Sequence, residues 1–348
     1  MDSGMELPLP DESLAAESGQ GREDATGLPT RIHRYSRAHQ RAVRMSDYAA
    51  AEGEVNLAHK LRTCGEWLLF RQYYRVDDAW KLHAGHFCRK HLLCPLCAIR
   101  RGAKQVQAYL ERLAVVLERE PDLRLSLVTL TVKDGPDLGE RFRHLSGSFR
   151  KLQQARRNAL KGLRAHVALA NVEGAVGSYE FKRGQNSGQW HPHLHMVCLH
   201  RLPIDGGQLS RDWKAITGDS WIVDVRPFHA GQEPVEGFLE VFKYALKFSD
   251  MSEADNWEGF QTLGGRRLVF SFGLFWGVQV PETLTDEELQ DEPYLELLYR
   301  FFAKAGYSVV ATGSDRSPAR APNAAQKGAS FAWSSILKKP LDKTAKTF

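Results

Sequence analysis

Apolar and polar positions divide the chain into a patterned middle and two weakly patterned ends. Residues 99–118 carry apolar side chains at Val106, Tyr109, Leu110, Leu113, Val116 and Leu117, the stripe of a helix with one buried face. Leu125–Val132 is nearly continuous and β-branched, which predicts a strand central in a sheet. A basic helix is expected from about Leu138 to Leu163. Glu173–Arg183 and Gln189–Leu199 alternate in the manner of strands, and the polar turn Gly184–Gly188 makes them a hairpin. Arg211–Ile216 reads as a helix, Trp221–Arg226 as a strand, Val235–Phe248 as a helix and Arg266–Phe272 as a last strand. Together these segments describe an α+β domain over residues 101–280.

The flanks read differently. Residues 56–100 hold two short strands, near Trp67–Arg71 and Trp80–His83, and most of the cysteines, and form a small module of their own. Residues 281–311 are expected to be an acidic helical extension, opened by a capping box at Thr285-Asp286-Glu287-Glu288 and continued by an amphipathic Glu292–Lys304. Residues 1–55 are expected to be a disordered tail with a basic segment, because Arg31–Arg44 packs five Arg and two His without a core-forming apolar period. The Ser/Pro/Ala/Lys composition of residues 312–348 predicts a second disordered tail.

Composition narrows the function. No apolar run approaches the ~18 residues of a membrane span, and the acidic N-terminus lacks the pattern of a secretory signal. Five cysteines, three of them between Cys88 and Cys97, suit a reducing cytoplasm better than a disulfide lattice. The net charge of +5 is mild, but Lys81–Arg164 holds 18 Lys/Arg against 7 Asp/Glu, an excess of 11. That density points to a polyanion, since each cation on a phosphate releases condensed counterions. There is no glycine-rich phosphate loop, which argues against an intrinsic ATPase.

Two clusters carry chemistry. In Trp190-His191-Pro192-His193-Leu194-His195 the three imidazoles fall on one face of a strand, and Glu180 falls on the same polar face across the hairpin. Imidazoles with a carboxylate suit a divalent ion that keeps open positions for substrate oxygens. In Cys88-x5-Cys94-x2-Cys97 the C-x-x-C pair can share a tetrahedral zinc with Cys88; Cys64 is the preferred fourth ligand, with His83, His86 and His91 as alternatives. A thioredoxin-type redox pair is the competing reading, although no βαβ pattern surrounds it. On the helix over 235–248, Glu240, Lys243, Tyr244 and Lys247 gather on one face: a carboxylate one turn from a phenol, with two ammoniums beside it.

A Thr-x-Thr strand (Leu127–Val132), a His-hydrophobic-His strand (His193-Leu194-His195) and a helix with Glu and Tyr four apart plus Lys occur in that order. This resembles the HUH endonucleases, most closely the one-tyrosine rolling-circle replication initiators of small plasmids and phages. Phe87–Arg101 resembles the same family's cysteine cluster, and the likeness covers about Leu61 to Gly277. It implies a five-stranded antiparallel sheet of RRM/ferredoxin-like type with helices mainly on one side, preceded by a zinc module. It implies Mg²⁺ or Mn²⁺ on His193, His195 and Glu180, with His191 outside the two-histidine core. Tyr244 matches the nucleophile and Glu240 the base used when replication ends; Lys243 or Lys247 could steady the phenolate. The implied substrate is single-stranded or hairpin-extruded origin DNA, the implied partners are a host helicase and replicative polymerase, and the implied location is the bacterial cytoplasm. A transposase or relaxase, or a zinc-containing origin binder that does not cut, are the alternatives.

Overall fold

The computed structural model describes residues 27–76, 79–229, 232–242, 251–290 and 292–314. In chain order the elements are α1 (Gly27–Ala51), α2 (Val55–Arg62), β1 (Trp67–Tyr73), β2 (Ala79–Gly85), α3 (Pro95–Arg119), β3 (Arg124–Thr131) and α4 (Leu138–Leu160). After a 3-10 turn come β4 (Val172–Arg183), β5 (Trp190–His200), α5 (Gly206–Thr217), β6 (Val223–Pro227), α6 (Pro234–Val241), α7 (Glu253–Leu263), β7 (Val269–Gly273), β8 (Leu295–Phe302) and β9 (Gly306–Ser314). They form a mixed α+β structure with two antiparallel sheets, one ordered β6-β3-β5-β4-β7 and the other β2-β1-β8-β9.

The five-stranded sheet grows from the β4–β5 hairpin, whose register pairs Glu180 with His193 and Ser178 with His195. β3 lies on the other side of β5, with Thr129 opposite His195 and Thr131 opposite His193. Leu194, Met196 and Cys198 of β5, Val128 and Leu130 of β3 and Phe181 of β4 turn to one face. There they are buried under Leu145, Phe149 and Leu152 of α4 and Trp213 of α5. Helix starts are fixed locally: the Asp137 side chain accepts from the Glu140 N–H and Asp205 from the Gln208 N–H, so each cap satisfies an orphan donor.

The expectation of helices mainly on one side needs correction. Val176 of β4 with Val197 and Leu199 of β5 pack on the opposite face against Tyr109, Leu113 and Val116 of α3 and Phe238 and Val241 of α6. Both faces of β4 and β5 are therefore apolar along half their length, which is why β5 is buried almost throughout. The second face turns polar at Ser178, Glu180, His193 and His195, beyond the edge of the α3–α6 layer.

Three further readings are corrected in the N-terminal part. Residues 27–51, expected to be disordered, form α1. Its buried line is Tyr35, Ala38, Ala42, Met45 and Ala49, spaced three and four apart, and alanine's small apolar surface hid that stripe among the charges. Second, no helix forms among the described residues of 281–311, where an acidic helical extension was expected. Asp286 instead accepts from the backbone N–H of Leu82 at 2.6 Å, and Leu295–Phe302 is a strand paired with β1 and β9. The aromatic and β-tolerant run Leu-Leu-Tyr-Arg-Phe-Phe serves a free sheet edge as well as a helix face, and Gly306 at φ +71 turns the hairpin. Third, residues 56–100 are not a separate module, because their sheet is completed by β8 and β9. The two tail segments 1–26 and 315–348 lie outside the described residues.

Arg31 of α1, Arg100 of α3 and Leu82 of β2 converge on Asp286. Arg31 Nη2 donates to Oδ2 at 3.0 Å, Arg100 Nη2 donates to Oδ1, and the aspartate side chain is 7% exposed. Burial alone raises this carboxyl, but the charges of Arg100 and Arg31 and the Leu82 N–H outweigh it and hold it far below the usual range.

Candidate active site

The polar patch on the second sheet face brings three sequence-predicted residues together. His193 Nε2 lies 3.3 Å and His195 Nε2 3.2 Å from the same oxygen, Glu180 Oε2. One donor atom from each residue falls within 4.8 Å of the others, and all three residues are buried. Ligands about 2.1 Å from an ion and at right angles to one another stand roughly 3 Å apart, so the donor set fits a divalent cation. His193 Nδ1 is buried without a hydrogen-bond partner, so its Nε2 is the nitrogen engaged. His195 Nδ1 lies 3.0 Å from Thr129 Oγ1, a contact that turns the ring so that Nε2 faces Glu180.

Electrostatics follow from this packing. Burial raises the Glu180 carboxyl, but hydrogen bonds and charge from His193 and His195 overcome it and keep the group well below the ordinary carboxylate range. Burial lowers His193, which favours its neutral, ligating form. His191 stands apart from the group: its Nδ1–H donates to Asp134 Oδ1 at 2.6 Å, and its ring centroid lies 5.5 Å from that of His193.

Helix α6 reaches this patch from the side. Gly237 lets it lie on the sheet, since a Cβ there would sit 2.3 Å from Phe228 Cζ and 3.1 Å from Val197 Cγ2. Glu240 consequently faces the patch, with Oε1 at 3.9 Å from His195 Nε2. The helix end is anchored where Ser178 Oγ donates to the Val241 carbonyl. Lys243, Tyr244 and Lys247 lie outside the described residues. Beside His195 a cavity of about 330 Å³ opens between Thr129, Arg226, Phe228 and the carboxylates of Glu236 and Glu240.

The cysteines meet in the N-terminal part. Cys64 lies on the turn after α2, Cys88 in the loop after β2, and Cys94 and Cys97 cap and open α3. Sulfur–sulfur distances are 3.5 Å for Cys64–Cys97, 3.6 Å for Cys88–Cys97 and 3.4 Å for Cys94–Cys64. A tetrahedron with Zn–S bonds of about 2.3 Å has edges of roughly 3.8 Å, so four thiolates here fit zinc. Hydrogen bonds from Cys64, Cys94 and Cys97 drive the Cys88 thiol far down, while burial pushes Cys94 up. His83 and His86 are committed elsewhere, to Glu288 at 2.8 Å and to the Thr63 carbonyl at 2.9 Å. Around Cys64 the backbone is held tightly: His39 Nδ1–H donates to its carbonyl at 2.7 Å, and the Tyr307 hydroxyl donates to the carbonyl of Gly65. At Gly65, φ +73, a Cβ would fall 2.3 Å from Leu96 Cδ2.

Sequence reasoning missed Thr129, Asp134 and Ser178 as supports. Thr129 had a usable signal, because the register of β3 on β5 places it opposite His195.

Comparison with known proteins locates the chain. Residues 79–202 match a family of replication proteins. A Rep protein of Lactiplantibacillus plantarum is 32% identical over 232 residues, covering 62% of this chain and 68% of that protein. One from Streptococcus pneumoniae is 27% identical over 205 residues, 55% of this chain and 60% of the relative. A third, from Lentilactobacillus hilgardii, is 25% identical over 255 residues, 66% and 76% of the two chains. No solved structure matches the chain.

Proposed function

The chain belongs to the Rep family of replication proteins, and from that premise we propose that it initiates rolling-circle replication of a plasmid by nicking one strand of the origin. The observation that carries this reading is the convergence of Glu180, His193 and His195 beside the Glu240 helix on one sheet face. The five-stranded sheet is then an HUH-type nuclease sheet. No described helix is long and apolar enough to cross a membrane; a protein acting on origin DNA as proposed would work in the bacterial cytoplasm.

Glu180, His193 and His195 would hold Mg²⁺ or Mn²⁺. Such an ion, when bound, draws charge from the scissile phosphate, which otherwise repels a nucleophile. The Tyr244 hydroxyl attacks phosphorus, the bond to the 3′ oxygen breaks, and the strand is left as a 5′-phosphotyrosine and a free 3′-OH for a polymerase to extend. A phenol of unperturbed pKa about 10 needs help to ionise, and Lys243 or Lys247 supplies positive charge for it. When the round ends, Glu240 takes a proton from water, whose oxygen then releases the phosphotyrosine. A host helicase opens the duplex ahead of the polymerase.

The test is a labelled single-stranded oligonucleotide of the cognate origin, incubated with protein and Mn²⁺. A label transferred to protein and stable in SDS is expected, and EDTA should prevent it. Intact wild-type protein that leaves the cognate strand uncut would sink the nicking mechanism.

The cysteine group is proposed to hold a structural zinc. Purified protein should contain one zinc per chain, and Cys94→Ser should lose it while the Mn²⁺ affinity of the histidine site is unchanged. Full zinc retention in that variant would remove Cys94 from the ligand set.

A further inference from the structure

On the far side of the α6 anchor from the 330 Å³ cavity lies a second one, of about 360 Å³. Its floor is Ser178 and Val269, which are partners in the β4–β7 register, and Ser178 is in turn the cross-strand partner of His195. One wall is the first turns of α3, with Arg101 and Gln105; the opposite wall is Arg266, in the turn between α7 and β7. His91 from the cysteine loop closes one end, preceded in the chain by the exposed Arg89 and Lys90. No Asp or Glu lines this cavity among the described residues.

The two guanidiniums are positioned without being neutralised. Arg101 Nη1 donates to the Pro281 carbonyl at 3.0 Å, and Arg266 Nε donates to the Thr262 carbonyl at 3.1 Å. Arg266 also stacks over Phe142, its Cζ 5.4 Å from the ring centroid. Among the described residues neither forms an ion pair, whereas Arg31, Arg100, Arg141, Arg183 and Arg201 all do. Neutral carbonyls fix the direction of a guanidinium and leave its charge and remaining donors to a ligand. Planar N–H forks of this kind match phosphate oxygens.

We propose that this cavity is a phosphate-binding subsite for the backbone of the single strand engaged at the histidine–glutamate group, with Arg101 and Arg266 as its two cationic contacts. The proposal rests on the nicking reading for its substrate class and adds where the strand is gripped outside the reacting centre. It also gives the cysteine loop a second use, since that loop delivers His91 to the strand path.

The test is metal-free binding of a fluorescein-labelled oligothymidylate by the full chain in EDTA, followed by anisotropy over a series of KCl concentrations. Each phosphate contact on a single strand contributes about 0.7 to the slope of log K against log salt, so R101Q/R266Q should flatten that slope by about 1.4. The same exponent weakens binding roughly 25-fold at about 0.1 M salt. R101K/R266K keeps both charges and should keep the wild-type slope, with an unchanged melting curve in both variants showing that the fold survives. An unchanged slope and affinity in R101Q/R266Q would overturn the proposal, as would equal loss in the lysine variant. Inorganic phosphate added at constant ionic strength separates a free-anion site: if it protects the wild type thermally while R101Q/R266Q binds DNA normally, the strand assignment is wrong. Wild-type protein that binds no single strand at all would instead defeat the nicking reading itself.

Discussion

Tyr244→Phe is expected to abolish the SDS-stable protein–DNA adduct while leaving Mn²⁺ binding within about twofold of wild type, and Glu180→Gln is expected to damage both. On the proposed mechanism the two variants separate because they act on different parts of one reaction. Phenylalanine keeps the ring and removes only the attacking oxygen, so no covalent bond to phosphorus forms at that position. Tyr244 follows two residues after Phe242, just past the point where α6 is tied to Ser178. Glutamine at 180 keeps the shape of the side chain but removes the negative charge and one electron-pair donor between His193 and His195. Loss of metal-assisted charge stabilisation of roughly 4 kcal/mol corresponds to about a thousandfold in nicking rate. Quantified adduct formation and Mn²⁺ calorimetry on both variants decide the matter. An adduct persisting in Tyr244→Phe would move the nucleophile elsewhere, and undiminished Mn²⁺ affinity in Glu180→Gln would remove the carboxylate from the metal site.

Asp286→Ala is expected to destabilise the protein by about 3–5 kcal/mol, because Arg31 and Arg100 would be left as buried cations facing each other. Asp286→Asn should cost less, since the amide oxygen can still accept from the Leu82 N–H. The pH dependence has a definite sign. The folded carboxyl titrates below its ordinary value of 3.8, so at low pH the unfolded chain takes up a proton that the native chain does not. This contribution is complete above the unfolded value, declines as pH falls below it, and is gone once the native group also protonates. Urea midpoints of wild type and Asp286→Ala should therefore converge on acidification towards that range; a constant gap would mean that the ion cluster is not what Asp286 contributes.

The strands of the five-stranded sheet were legible as short β-branched or alternating runs bounded by turns. The β4–β5 hairpin was the most legible part, since placing Glu180 and the histidines on one face needs only the pleat and a turn. Cys88, Cys94 and Cys97 were readable from spacing and Cys64, 24 residues before Cys88, was the preferred fourth ligand; the fold brings its sulfur to 3.4 Å from that of Cys94. Two features were hidden for physical reasons. In α1 the core-facing residues are largely alanines, and Arg31 and Arg34 are themselves buried, so hydropathy registered a charged tail. In β8, Leu-Glu-Leu-Leu-Tyr-Arg-Phe-Phe satisfies a helix face and a strand face alike; an unpaired edge of β1, nearly 230 residues earlier, decides between them. Pairings across that distance leave no local trace.

That pairing also sets an order of events during synthesis. Trp67–Tyr73 leaves the ribosome long before Leu295–Phe302 exists, so the edge of β1 that will receive β8 stays open while the five-stranded sheet is being made. Closing so long a loop is entropically costly and slow, and the waiting edge is a template for the wrong strand. Fragments ending before residue 295 should accordingly carry the complete five-stranded sheet yet aggregate through the cysteine-bearing end, so a hairpin made after that sheet protects a strand edge made before it.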